Sequence, residues 1–191
     1  MKQTISLILS LFLFTSTICV AQTDGKSLAI EGLKYYNGKV VEKNLEKAAG
    51  FFRQSAEAGD MVGQYFLGYC YFNGEGIAKN PSEAFNWFSK SAAQGCAQAQ
   101  CELGYCYYMG IGVAVDQKKA VELYEQSANK GYPKAQFYLG DCYFNGEGVE
   151  EDEGKARYWY HRAADNGNED AKEALVRLLE QQSLPHNLFL R

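Results

Sequence analysis

The sequence predicts an all-α protein, an array of about four helix pairs followed by one capping helix. Three observations predict it. The stretch CYFNGEG at 70–76 returns letter for letter at 142–148, and a looser copy, CYYMGIG, stands at 106–112, so the step is 36 residues both times. Glycine recurs in that register at 68, 104 and 140, at 74, 110 and 146, at 76, 112 and 148, and at 95, 131 and 167. Leucine recurs at 67, 103 and 139, tyrosine at 71, 107 and 143, and alanine at 84, 120 and 156 and at 92, 128 and 164. A fixed period of this size marks stacked units that share one core.

Residues 1–21 read differently from the rest. Lys2 is a short basic region, ISLILSLFLF is an apolar run, and Cys19 and Ala21 are small residues before a cleavage point at Gln22. That is the pattern of a secretory signal peptide. The run is shorter than the roughly 20 apolar residues a bilayer needs, so a membrane span is the weaker reading. Lipid anchoring at Cys19 is weaker too, because Ile18 stands where that processing takes a small residue. The mature chain is expected to be exported, periplasmic or secreted, and monomeric. With 47% hydrophobic and 22% charged residues it has a globular composition. A net charge of −4 gives no support to a nucleic-acid or anionic-membrane surface.

The units fall at 25–60, 61–96, 97–132 and 133–168, within an array of 25–168, and 169–191 holds the capping helix and a tail. In the first unit the register is kept by Gly32, Tyr35, Gly38, Ala48, Ala56 and Gly59. Gly63, Leu67 and Tyr71 lie on one face of the second unit's first helix. The loop NGEGIAKN follows, and its glycines permit positive φ. Asn80 is placed to cap the next helix, with Pro81 at its first position and Glu83 completing a capping-box-like start. Asn44, Asp116 and Asp152 hold the same place. The second helix is expected to bury Ala84, Trp87, Phe88 and Ala92 and to end at Gly95. Gly68, Gly104 and Gly140 let the two helices approach closely. In 169–182, Ala171, Ala174, Leu175, Leu178 and Leu179 form one apolar side and charged residues surround them, as in a capping helix.

The pattern Leu67-Gly68, Tyr71, Gly74, Gly76, Ala84, Trp87-Phe88, Ala92-Ala93, Gly95 resembles the Sel1-like repeat, a 36-residue relative of the tetratricopeptide repeat. In the first unit Lys34 replaces the cysteine and Val40 the second loop glycine. The resemblance implies a right-handed α/α solenoid that serves as a non-catalytic adaptor or scaffold, exported in many bacteria. It also implies a concave groove lined by first helices. Some exported Sel1-like proteins pair cysteines between helices, but the second helices here contain none.

Residues for chemistry are few. The only histidines are His161 and His186, and no HExxH or CxxC zinc pattern exists. No cofactor or metal is expected. Glu150, Glu151, Asp152 and Glu153 read as a solvated loop and helix cap rather than a calcium site. An anion held by the NGEG loop would meet Glu75 or Glu147, and no Gly-Lys-Ser/Thr pattern follows. Cys70, Cys106 and Cys142 are equivalent positions, about 10 Å apart if helices stack, beyond the roughly 7 Å reach of a disulfide. Buried small hydrophobes is the expectation for them, while Cys96 or Cys101 could pair with a neighbour. Some Sel1-like proteins are described as hydrolases, including of β-lactams, and that is the alternative function. No serine is expected to act as a Ser-x-x-Lys nucleophile. A purely structural array is the other alternative.

A second stripe runs along each first helix. It gives Val62, Tyr65, Tyr69 and Phe72, then Gln98, Cys101, Tyr105 and Tyr108, then Lys134, Phe137, Asp141 and Phe144. Phe72, Tyr108 and Phe144 are expected to pack between units. The remaining positions, with Glu102 added for orientation, are the candidate groove for a protein or peptide partner. Aromatic groups supply large contact area at little entropic cost.

Overall fold

The computed structural model describes residues 24–183. The leader at 1–21 with Cys19, and the tail at 184–191 with His186, lie outside them. Among the described residues every element is helical: α1 Gly25–Asn37, α2 Leu45–Glu57, α3 Met61–Asn73, α4 Pro81–Ala93, α5 Ala97–Met109, α6 Gln117–Asn129, α7 Pro133–Asn145, α8 Glu153–Asp165 and α9 Glu169–Ser183. Each helix packs on the next in sequence. No helix among the described residues is long and apolar enough to cross a membrane.

Each helix start and stop has a local cause. Asn44, Asn80, Asp116 and Asp152 accept the N–H of the residue three positions on, at 2.9–3.2 Å. The reciprocal half of the capping box is absent. The Asn80 N–H donates instead to the Tyr71 carbonyl at 2.9 Å, and Glu83 accepts the Trp87 indole N–H. The same backbone bond ties Asn44 to Tyr35, Asp116 to Tyr107 and Asp152 to Tyr143. It holds every loop at one length.

The pair is closed by an aromatic ring seated on a glycine. A Cβ placed on Gly32, Gly68, Gly104 or Gly140 would stand 2.6–2.8 Å from the ring of Phe52, Phe88, Tyr124 or Tyr160 respectively. All four rings are buried, each 2% exposed or less. Ser55, Ser91 and Ser127, fully buried, add a second tie by donating to the carbonyls of Gly25, Met61 and Ala97 at the start of the unit's first helix. Trp87 departs from the expectation of burial. It is half-exposed, with its indole N–H on Glu83 and the Lys90 ammonium 3.8 Å from its ring centroid.

The second loop glycine spaces one unit from the unit before. Gly76, Gly112 and Gly148 have φ of +68°, +72° and +74° and lie against the first turns of α2, α4 and α6. An added Cβ would stand 2.0–2.4 Å from the carbonyl oxygens of Leu45, Pro81 and Gln117. Val40 occupies the corresponding place in the first unit and is 77% exposed. No earlier second helix meets it among the described residues, so the requirement for glycine lapses there.

The sixth residue of CYFNGEG also has a structural partner. Glu147 accepts the Tyr108 hydroxyl at 2.7 Å, and Glu75 stands near Tyr36, where burial first and then this carboxylate raise the phenol pKa. In CYYMGIG the residue is Ile111, and the partner position of the unit before is Phe72; both pack on one core cluster. Polar meets polar at two junctions and apolar meets apolar at the third. At the C-terminal end Val176 stands where the other units have the ring-bearing glycine, and it is 53% exposed. Ala171, Ala174 and Leu178 of α9 are buried with Tyr160 in the last core cluster, while Leu179, expected on that side, is 61% exposed.

Substituting Gly112→Ala is expected to lower unfolding free energy by more than about 2 kcal/mol in urea titrations, because left-handed strain adds to a backbone clash. Val40→Gly is expected to stay within about 0.5 kcal/mol of the parent.

Candidate functional site

The first helices α3, α5 and α7 carry the ten predicted partner residues, and the structure does not place them all on one surface. Val62, Tyr65, Tyr69, Tyr105, Lys134, Phe137 and Asp141 are half-buried, and Gln98 is exposed. Cys101 is wrong as a groove residue. It is 0% exposed and packs with Ala120, Tyr124 and Leu139, because one helical stripe on α5 is turned into the junction with α7. Glu102 is 5% exposed and pairs with Lys134 of the next unit at 2.8 Å. These two charges bridge α5 to α7. Burial works against the Lys134 charge, but Glu102 outweighs it and raises the ammonium pKa overall.

The aromatic side chains form a continuous row. Tyr65 lies 6.2 Å from Tyr69 and 6.1 Å from Phe88; Phe72 lies 6.2 Å from Phe88 and 6.3 Å from Tyr105. Tyr105 stacks on Tyr138 at 5.9 Å with 19° between the planes, and Phe137 reaches both Tyr138 and Tyr160. Sequence reading missed Tyr138 and Tyr124. Tyr138 neighbours the predicted Phe137, and Tyr124 shares the register of Phe88, but which ring borders open space depends on how the units stack.

Asp141 sits between two cavities. One, of about 130 Å3, lies between α5 and α7 and includes Tyr105, Tyr138 and Glu147. The other, of about 360 Å3, lies between α7 and α9 and includes Phe137, Tyr160 and Arg177. Burial pushes the Asp141 carboxyl up, while the Tyr160 hydroxyl, donating at 2.7 Å, and the more distant Arg177 pull it back. Val62 belongs elsewhere, in a wider cleft of about 680 Å3 between α1 and α3.

The residues that could support covalent chemistry are occupied by structure. Cys70, Cys96, Cys101, Cys106 and Cys142 are all buried and unpaired. Burial pushes the thiols of Cys70, Cys106 and Cys142 up to about 12, which disfavours the nucleophilic thiolate at neutral pH. One Ser-x-x-Lys spacing exists, at Ser127–Lys130. Ser127 is 0% exposed and donates to the Ala97 carbonyl at 2.6 Å, and the Lys130 ammonium is bound to the Gly95 carbonyl and Gln100. His161 is exposed on α8. Asp152 caps α8, and the Lys155 N–H lowers its pKa. No group of His, Cys, Asp or Glu among the described residues is arranged to hold a metal ion.

With this geometry in view, the comparisons with known proteins are specific. The family model for the Sel1 repeat matches residues 28–60, 62–96, 97–132 and 133–168. A protective antigen of uropathogenic Escherichia coli with an SLR fold is 36% identical over 83% of this chain, with a TM-score of 0.77. This chain spans about a third of its length, 34%. A Sel1 repeat protein from Oxalobacter formigenes is 34% identical over 87% of this chain and 69% of its own, also with a TM-score of 0.77. Helicobacter pylori cysteine rich protein B is 26% identical over 72% of this chain and 99% of its own, with a TM-score of 0.56. Among proteins of curated function none matches.

Lys134→Met strands a Glu102 side chain that is only 6% exposed, while Lys134 itself is 39% exposed. A loss of about 2 kcal/mol is expected in urea titrations, and Glu102→Gln in the same chain is expected to restore most of it. Asp141 gives an opposite sign. A carboxyl with a folded-state pKa above its ordinary 3.8 subtracts stability once both states are ionised, and subtracts none below the ordinary value. Asp141→Asn keeps the acceptor for Tyr160, so it is expected to melt higher than the parent at pH 7, with the gain fading as pH falls towards 3.8.

Proposed function

The chain belongs to the Sel1 repeat family, and on that premise we propose that it is an exported, non-catalytic adaptor holding a peptide or protein partner along the first-helix face. Sel1 repeats are protein-interaction units, generally without catalysis. The observation that carries the reading is the row of half-buried rings from Tyr65 on α3 through Tyr105 on α5 to Phe137 on α7. A half-buried aromatic row offers area and rigid contacts to a partner while staying anchored in the core. The concave course of this face is what the family resemblance implies. Export rests on the leader pattern of residues 1–21. A monomer rests on the reading of α9 as a capping helix. Against a hydrolase stands the burial of Ser127.

Site-specific photocrosslinking tests this, with the fold of each variant checked by circular dichroism. A benzophenone side chain is placed at Tyr69 or Phe137 on the first-helix face, or at Tyr158, which is 53% exposed on α8. In source cells the first two positions are expected to trap the same polypeptide and the third is not. A partner trapped only from Tyr158 would move function to the outer face.

A further inference from the structure

The cavity between α5 and α7 is walled by Tyr105, Tyr108, Tyr124 and Tyr138 and carries the carboxylates of Asp141 and Glu147. Its volume is about 130 Å3. At roughly 30 Å3 per water in the liquid, that is the bulk of about four waters, or one long side chain.

Three features select positive charge. The first is the wall. Tyr105 and Tyr138 stack, and Tyr124 lies 5.3 Å from Tyr138, so the space is bordered by tyrosine rings, the kind of group cations approach. The second is the state of the carboxylates. Each accepts a neutral phenol, Asp141 from Tyr160 and Glu147 from Tyr108, both at 2.7 Å. No Lys or Arg among the described residues stands within ion-pair distance of either. Lys134 stands over the Tyr138 ring but is held by Glu102. Arg177, which acts on Asp141 from farther off, lines the cavity on the other side of α7. The third is Tyr124. It is 2% exposed, it lines the cavity, and no group among the described residues hydrogen-bonds its hydroxyl. The corresponding residues elsewhere are Phe52 and Phe88, which have no hydroxyl, and Tyr160, whose hydroxyl goes to Asp141. No buried side-chain oxygen or nitrogen among the described residues lacks a partner, so this hydroxyl is open to the cavity, where water or a ligand's donor can meet it.

We propose that this cavity is a socket for one cationic side chain, a lysine or arginine of the polypeptide held along the first-helix face. It rests on the reading of that face as the partner surface and names the chemistry of one contact. The cationic head donates to the two carboxylates and to the Tyr124 oxygen, while the apolar stem lies along the tyrosine rings. A neutral side chain of equal length keeps the stem contact and leaves the carboxylates as they are. An acidic one is repelled.

The test is a titration of the full chain, followed by NMR, with Nα-acetyl-lysine methylamide and, separately, Nα-acetyl-norleucine methylamide. The lysine amide is expected to shift Asn145 and Glu147 saturably and to bind at least about tenfold tighter than the norleucine amide. Asp141→Asn with Glu147→Gln keeps both acceptors for Tyr160 and Tyr108 and removes both charges, so the preference is expected to vanish. Equal affinity for the two amides, a preference that survives the double substitution, or no saturable shift from the lysine amide overturns the proposal. Should the doubly substituted chain not fold, the two amides on the native chain decide by themselves. The crosslinking experiment fails independently. A partner trapped at Tyr69 with no lysine preference removes the socket and keeps the adaptor; a lysine preference with no trapped partner does the reverse.

Discussion

The seating of one aromatic ring on one glycine, repeated in every unit, is the contact on which the rest of this structure depends. Phe52, Phe88, Tyr124 and Tyr160 each lie where a single Cβ on the first helix would collide with them. That proximity brings the last turn of the second helix against the first turn of its partner. There Ser55, Ser91 and Ser127 reach backbone carbonyls thirty residues away in sequence. The loops then have a fixed gap to span, and one backbone bond from cap residue to tyrosine carbonyl closes each of them. Interiors this tightly packed transmit any added volume, so the glycine is a matter of space, not of helix preference.

The same contact shapes the face opposite. A phenylalanine at the ring position ends in the core. A tyrosine carries its hydroxyl through to the neighbourhood of the first helices. In the fourth unit that hydroxyl meets Asp141, and in the third it borders a cavity. The two C-terminal units therefore differ chemically from the two before them while keeping the same backbone. A repeat array gains a local binding character in this way, by exchanging side chains at fixed stations.

Burial explains why residues of reactive type are held in structural roles here. Cys70, Cys106 and Cys142 lie on the stripe that faces the core, and desolvation holds them as thiols. Ser127 and Lys130 share a spacing familiar from nucleophilic sites, yet both are ends of ties between helices. A spacing along the chain says nothing of access to a substrate.

The sequence by itself determined the repeat, its helices and their ends, because caps, glycine stops and core stripes are local and recur every 36 residues. The cap role of Asn44, Asn80, Asp116 and Asp152 was legible for that reason. The site was legible only in outline. Tyr65, Tyr105, Phe137 and Asp141 were found on one stripe, but Cys101 shares that stripe and is buried, and Glu102 is taken up by Lys134 from the next unit. The serine ties had a visible period at 55, 91 and 127, yet their partners are backbone carbonyls that no side-chain pattern reveals. What only the tertiary structure decided is the rotation of each first helix against its neighbours. That angle follows from the ring on the glycine, a contact between two helices, and it sets which members of a stripe face water and which face the next unit.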